Sequence, residues 1–220
     1  SQLIVHHGNP TEEIPRIAAA LGVEQIFTSE DYEPYAKQRD ASIRGLVGVK
    51  DHVVFSGGEI NNQVGEPYRV FTPYKKAWLA RVTPRDFAEA RTSPVWIRES
   101  ELSGLGELRP LETYGFRPTE LWLEPGERAG LARLQAFSER MPNYGRDRDF
   151  PSVEGTSGLS VHLRFGTISV REAVRAALRS RNLGSETWLS ELIWREFYQM
   201  ILDRFPNVVH EAFLEKFRAL

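Results

Sequence analysis

The hydrophobic periodicity of this chain changes character part-way along and does not change back. Through residue 82, short apolar runs alternate with stretches of helical spacing; from Glu127 onward the spacing is helical almost throughout. The runs "LIVHH" (3–7), "VEQIFTS" (23–29) and "HVVFSG" (52–57) read as strands, with "NPTEEIPRIAAALG" (9–22) and "EPYAKQRDASIRGLV" (33–47) as helices between them. Strand, helix, strand, helix, strand predicts an α/β layer with a parallel sheet, because parallel neighbours need a crossover of about that length. Thr11 is placed as the N-cap of the first helix, with Glu12 and Glu13 favourable in its first turn and Gly22 at its stop. Another helix is predicted over 72–82, with Thr72 as cap and Pro73 at its first position.

Residues 83–126 carry much of the Pro and Gly and show weak periodicity, which predicts a long connector. Beyond it, helices are predicted over "GERAGLARLQAFSERM", over "SVREAVRAALRSR" (169–181), where Ser169 and Glu172 stand at capping-box spacing, and over "SETWLSELIWREFYQMILDRF" (185–205), ended by Pro206. The fold class is therefore α/β followed by α. Three segments are expected: a partial α/β domain over 1–82, an interdomain connector over 83–126, and a partial helical domain over 127–220. The chain opens inside a strand-like run without an initiator Met and closes inside the helical pattern "HEAFLEKFRAL", so it is read as an excerpt of a longer protein.

With 220 residues, 26% charged and 41% hydrophobic, the composition is that of a globular protein with a real core. A net charge of -2 means that any nucleic-acid partner must be met by a local basic patch rather than by bulk charge. The absence of cysteine excludes disulfides, thiol catalysis and thiolate metal sites, and no metal site is expected. No membrane-length apolar stretch or signal peptide is visible, so no membrane partner and a cytoplasmic location are expected.

Residues 154–166, "EGTSGLSVHLRFG", gather small donors at the start of a short predicted helix, with His162 and Arg164 further in. A first turn offers unpaired N–H groups, hydroxyls add donors, and glycine lets a ligand approach the backbone. Thr156, Ser157, Gly158, Leu159 and Ser160 thus make a plausible phosphate cradle. Taken alone, such a stretch is more often ordinary helix capping.

In "TWLSELIWREFYQM" (187–200), Trp188, Glu191, Leu192 and Arg195 fall close to one helical line, and Trp194 lies one turn beyond Glu191. Two readings stand. One is a helix–helix core containing a Glu191–Arg195 pair; the other is a pocket wall, with tryptophan to stack on a flat ring and the charges to bind its edge or a phosphate.

Together with "YRVFTPYKKAWL" (68–79) and "NYGRDRDFPSVEGTSGLS" (143–160), the combination of "EGTSGLS", "RFGTIS" and "WLSELIWREFY" resembles the photolyase/cryptochrome family of flavoproteins, over essentially the whole chain. The resemblance is greatest to bacterial cyclobutane pyrimidine dimer photolyases. It implies the C-terminal part of a Rossmann-like parallel-sheet domain, the connector, and the start of an all-helical FAD-binding domain. The implied cofactor is FAD. Its pyrophosphate falls to Thr156, Ser157, Gly158, Leu159 and Ser160, with Tyr144 near the phosphates and Trp188 and Arg195 lining the flavin pocket. Glu191 and Trp194 match the pair that receives a flipped pyrimidine dimer, and Arg148 and Arg164, with Arg146 a weaker candidate, match basic positions near phosphates.

The implied activity is light-driven repair of pyrimidine dimers in DNA by electron transfer from reduced FAD, a carbon–carbon lyase reaction, from a protein monomeric at full length; this excerpt alone is expected to be inactive. A cryptochrome-type photoreceptor without repair activity is the alternative, and a non-photochemical nucleotide-binding module a third. Folate-binding members carry an Asn-Glu pair where this chain has Tyr35 and Ala36, which puts a folate antenna in doubt and leaves another antenna, or none.

Overall fold

The computed structural model describes residues 5–89, 92–98, 101, 104–106 and 109–218. Its elements, in chain order, are α1 (Pro10–Leu21), β1 (Ile26–Ser29), α2 (Pro34–Ala41), β2 (Leu46–Val49), α3 (Phe71–Arg81), α4 (Glu127–Arg140), α5 (Tyr144–Asp147), α6 (Ser160–Arg164), α7 (Val170–Ser180) and α8 (Leu183–Arg204), with short 3-10 turns between some of them. The chain divides into two compact units. One comprises Ser1–Thr28, Tyr35–Val49 and Ala90–Glu124, and the other Ser29–Pro34, Lys50–Glu89 and Pro125–Leu220.

In the first unit β1 and β2 form a small parallel two-stranded sheet. Helix α1 is capped by Asn9, whose side chain accepts from the Thr11 N–H, so the cap lies two residues before the one expected. Helix α2 stops at Ala41, and part of the stretch read as helix over 33–47 is strand β2 instead. The strand expected over 3–7 falls partly outside the described residues, and residues 5–7 are not in a strand.

The second unit is helical and holds the main core. Helix α8 buries Trp188, Leu189, Leu192, Ile193, Glu196, Phe197, Met200 and Ile201, an i/i+3/i+4 stripe along its 22 residues. It begins earlier than expected, in a capping box made by Asn182 and Ser185. Helix α7 sets Val170, Ala173, Val174 and Ala177 inward. Its Ser169 side chain accepts from the Arg171 N–H, while Glu172 engages Arg175 rather than closing a capping box. Phe137 of α4 is fully buried, meeting Tyr144 edge-on at 5.7 Å and Trp188 at 4.9 Å. Removing its ring would cost about 3–5 kcal/mol and unseat both neighbours.

The strand expected over 52–57 does not form, and the reason is specific. The backbone there is satisfied by side chains and not by a neighbouring strand. Val54 and Phe55 donate their N–H groups to the Glu196 carboxylate at 2.6 and 3.1 Å. Arg171 donates to the carbonyls of Asp51 at 3.1 Å, Val53 at 3.0 Å and Lys50 at 3.4 Å, and Arg195 donates to that of His52. An apolar run bounded by Gly and a charge reads as strand from sequence; here it is a buried loop with Val53, Val54 and Phe55 almost wholly enclosed.

Candidate functional site

Helix α5 is four residues long, yet it carries Tyr144 and Arg146, leads into Arg148 and reaches Glu191 through it. Tyr144 opens it and is buried against Phe137, and burial pushes its phenol up from the ordinary tyrosine range. Arg148 follows its last residue, with its guanidinium 5.3 Å from the Tyr144 ring centre, within cation–π range. The same guanidinium donates to Glu191 of α8 at 2.5 Å. Both side chains are about one-third exposed, and the Glu191 hydrogen bond holds the Arg148 charge more firmly than usual. Glu191 therefore pairs with Arg148, not with Arg195 one turn along its own helix.

The small-residue stretch lies against the end of α5. A Cβ added to Gly155 would sit 2.5 Å from the backbone carbonyl of Asp147, closer than packed atoms allow, so only glycine lets the two segments meet there. Arg140 holds the same stretch by donating to the Glu154 carbonyl at 2.9 Å. Gly158 has φ of +62°, and a Cβ there would meet the guanidinium of Arg133 at 2.4 Å, so a cation from α4 crosses the stretch at its glycine. Helix α6 then starts at Ser160 without a side-chain cap; the cap position is Leu159, whose side chain is fully buried. Ser157 Oγ accepts from the Leu159 N–H at 3.4 Å, while Thr156 and Ser160 are exposed. The ordinary-capping reading lacks its defining hydrogen bond at this helix.

The remaining candidates divide. Trp188 is 3% exposed and part of the core. Arg195 faces elsewhere, donating to His52 O and to Leu163 O at 3.4 Å, and burial pushes its guanidinium down. A cavity of about 60 Å³ beside it, bordered by His52, Leu163 and Ser169, is far below the several hundred Å³ of a typical cofactor pocket. Arg164 is exposed at the end of α6 and lies near enough to disfavour the Arg195 charge. Arg146 is exposed and paired with Asp147 at 2.7 Å. Trp194 is partly buried, its ring stacked face to face on Phe71 of α3 at 3.6 Å and 10°, with exposed Tyr198 offset at 5.5 Å.

Three residues went unassigned on sequence. Arg133 carries no local signal. Phe71 lies within "YRVFTPYKKAWL", which carries the family resemblance without a role for its phenylalanine. Glu196 did leave a trace: it falls on the apolar stripe with Leu189, Leu192, Ile193 and Met200, where a lone acid is out of place.

Comparison with known proteins bears on the family and the fold. The DNA photolyase family profile matches residues 1–94. A deoxyribodipyrimidine photo-lyase of Synechococcus sp. is 35% identical over 94% of this chain and 48% of its own length. Among solved structures, a bacterial class III photolyase from Agrobacterium tumefaciens superposes with a TM-score of 0.77 at 23% identity, covering 99% of this chain and 48% of that one. A cryptochrome of Synechocystis sp. superposes with a TM-score of 0.68 at 22% identity, covering 94% and 47%. These two likenesses concern the fold. The chain belongs to the DNA photolyase family. It spans about half the length of the curated relatives it matches.

Proposed function

We propose that this chain forms part of a deoxyribodipyrimidine photo-lyase, a light-driven enzyme that splits cyclobutane pyrimidine dimers in DNA with reduced FAD. The observation that carries the reading is the pairing of Glu191 with Trp194 one turn apart on α8, with Arg148 on the carboxylate. A flat ring, a carboxylate for a base edge and a cation beside it suit a flipped pyrimidine dimer, two linked bases of one strand that cost less to unstack than intact ones. Trp194 offers the stacking surface, Glu191 hydrogen bonds to the dimer's edge, and Arg148 fixes the carboxylate between its own element and α8. Arg164 adds a phosphate contact, and Arg146 a weaker one.

The residues present fit the cofactor's phosphates. Hydroxyls at Thr156, Ser157 and Ser160, the N–H group at Gly158, and the Arg133 guanidinium crossing Gly158 make a donor set suited to a pyrophosphate, with Leu159 buried beneath it. When bound, reduced FAD supplies, on excitation, the electron that opens the dimer. Tyr144 and Trp188, both packed on Phe137, are assigned to the cofactor site's inner wall. We assign Arg195 to bracing the loop at His52, since its guanidinium is engaged there. In the first unit the exposed Tyr35 and buried Ala36 leave the folate-binding pattern unfilled, so a different antenna, or none, is proposed.

Blue-light repair of a thymine-dimer oligonucleotide by the full-length protein tests the assignment. Light-dependent loss of the dimer is expected. Flavin binding with no repair under reducing conditions would overturn it in favour of a cryptochrome-type photoreceptor.

A further inference from the structure

Glu196 is 2% exposed and sits in the middle of the apolar stripe of α8. Four donors converge on it: the Val54 and Phe55 N–H groups, the Trp78 indole N–H at 2.6 Å and the Tyr74 hydroxyl at 3.4 Å. A leucine or methionine of similar volume would fill the space without the desolvation cost of a carboxylate. What a carboxylate adds is direction, because its hydrogen bonds admit one placement of the groups around it. Two of those groups, Tyr74 and Trp78, are on α3, one turn apart on its inner face. Phe71 lies on that same face, two turns before Trp78, and it is the ring stacked on Trp194. Phe197 completes the contact, tilted against Tyr74 at 5.2 Å and edge-on to Trp194 at 5.6 Å. Sliding α3 by one turn, about 5.4 Å, would break the Trp78 hydrogen bond and carry Phe71 off the indole together.

We infer that Glu196 is a positioning residue for dimer recognition: through Trp78 and Tyr74 it fixes the register of α3, and through Phe71 it fixes the plane and lateral position of the Trp194 ring. This rests on the assignment of Trp194 to the flipped dimer. Phe71 covers one face of the indole and Tyr198 lies offset from it at 5.5 Å, so the base must use what these two rings leave open, and a ring free to tilt would offer a poorer stacking surface.

The test uses the full-length flavoprotein with Trp78→Phe, which removes the indole donor and keeps the aromatic bulk, and with Phe71→Leu, which removes the stacked ring. Trp194→Ala is the reference, and affinities for thymine-dimer and undamaged duplexes are measured at fixed salt alongside flavin content. Trp194→Ala should weaken dimer-DNA binding by about tenfold, given the usual worth of base–aromatic stacking. Trp78→Phe and Phe71→Leu should each weaken it by about threefold or more while undamaged-DNA affinity and flavin content hold. Glu196→Gln, which keeps an acceptor oxygen, should retain more dimer selectivity than Glu196→Leu. If Trp194→Ala weakens dimer binding and the other variants do not, the positioning role is wrong and the repair assignment stands. If both affinities and the flavin fall together, Glu196 and α3 serve stability alone and the inference is overturned. If Trp194→Ala leaves dimer binding unchanged, the assignment of Trp194 fails and the inference falls with it.

Discussion

Burial and hydrogen bonding act on Glu196 in opposite directions. Burial pushes its carboxyl up to about 7, against four hydrogen bonds that favour the ionised form. Tyr32, Tyr74 and Arg195 are the titratable neighbours that interact with it. The folded carboxyl thus keeps its proton to higher pH than the unfolded one, whose ordinary value is 4.5. Its contribution to stability is complete below that value and is lost as pH rises to about 7, a difference of about 3 kcal/mol. Thermal unfolding of the full-length protein and of Glu196→Gln, followed between pH 5 and pH 8 (about the range where this group titrates), should show wild type losing several degrees relative to the variant as pH rises. A gap that stays constant with pH would mean that Glu196 is ionised throughout. The acid was visible in sequence as a misfit on an apolar stripe. Its donors were not, because Val54, Phe55 and Trp78 are more than a hundred residues away along the chain.

At the scale of elements, the small-residue stretch is a segment without a regular helix cap, pressed onto α5 at Gly155 and crossed by Arg133 at Gly158. In the full-length protein, Thr156→Ala with Ser157→Ala should weaken flavin retention, each lost bond to a charged phosphate costing about 1.5–3 kcal/mol. Flavin absorbance after dialysis measures it. Unchanged flavin content, with an intact circular dichroism spectrum, would return the stretch to a purely structural role. How much of this was legible follows from the range of the forces involved. Helices α4, α7 and α8 were readable to within a few residues, since their stripes and caps are local. The loop at 52–57 was not, since side chains from α7 and α8 complete its backbone hydrogen bonds, and the same apolar run would have been a strand beside another strand. The Glu191–Trp194 spacing was readable on one helix. The Arg148 partner, from a different element, was not.

At the scale of the molecule, this chain's net charge of -2 offers no general attraction for DNA, so the proposed DNA contact calls on local cations within it. Arg148 is already paired with Glu191 and Arg146 with Asp147, whereas Arg164 stands exposed at the end of α6. Arg164→Ala in the full-length protein should weaken damaged and undamaged duplexes alike and reduce the salt-dependence slope by about one. A loss confined to damaged DNA would move Arg164 from phosphate to lesion contact. Among the described residues no helix is long and apolar enough to cross a membrane.

The second unit is assembled from pieces far apart in sequence, and that has a consequence in time. Val54 must wait for a partner 142 residues downstream. At about 5–20 residues per second, translation alone separates the two by roughly 7–30 seconds. Through that interval Val53, Val54 and Phe55, each no more than 2% exposed once folded, lack the packing that encloses them, and the Val54 and Phe55 amides lack their Glu196 partner. The nascent chain therefore carries an apolar, chaperone-accessible segment until the ribosome has released α8.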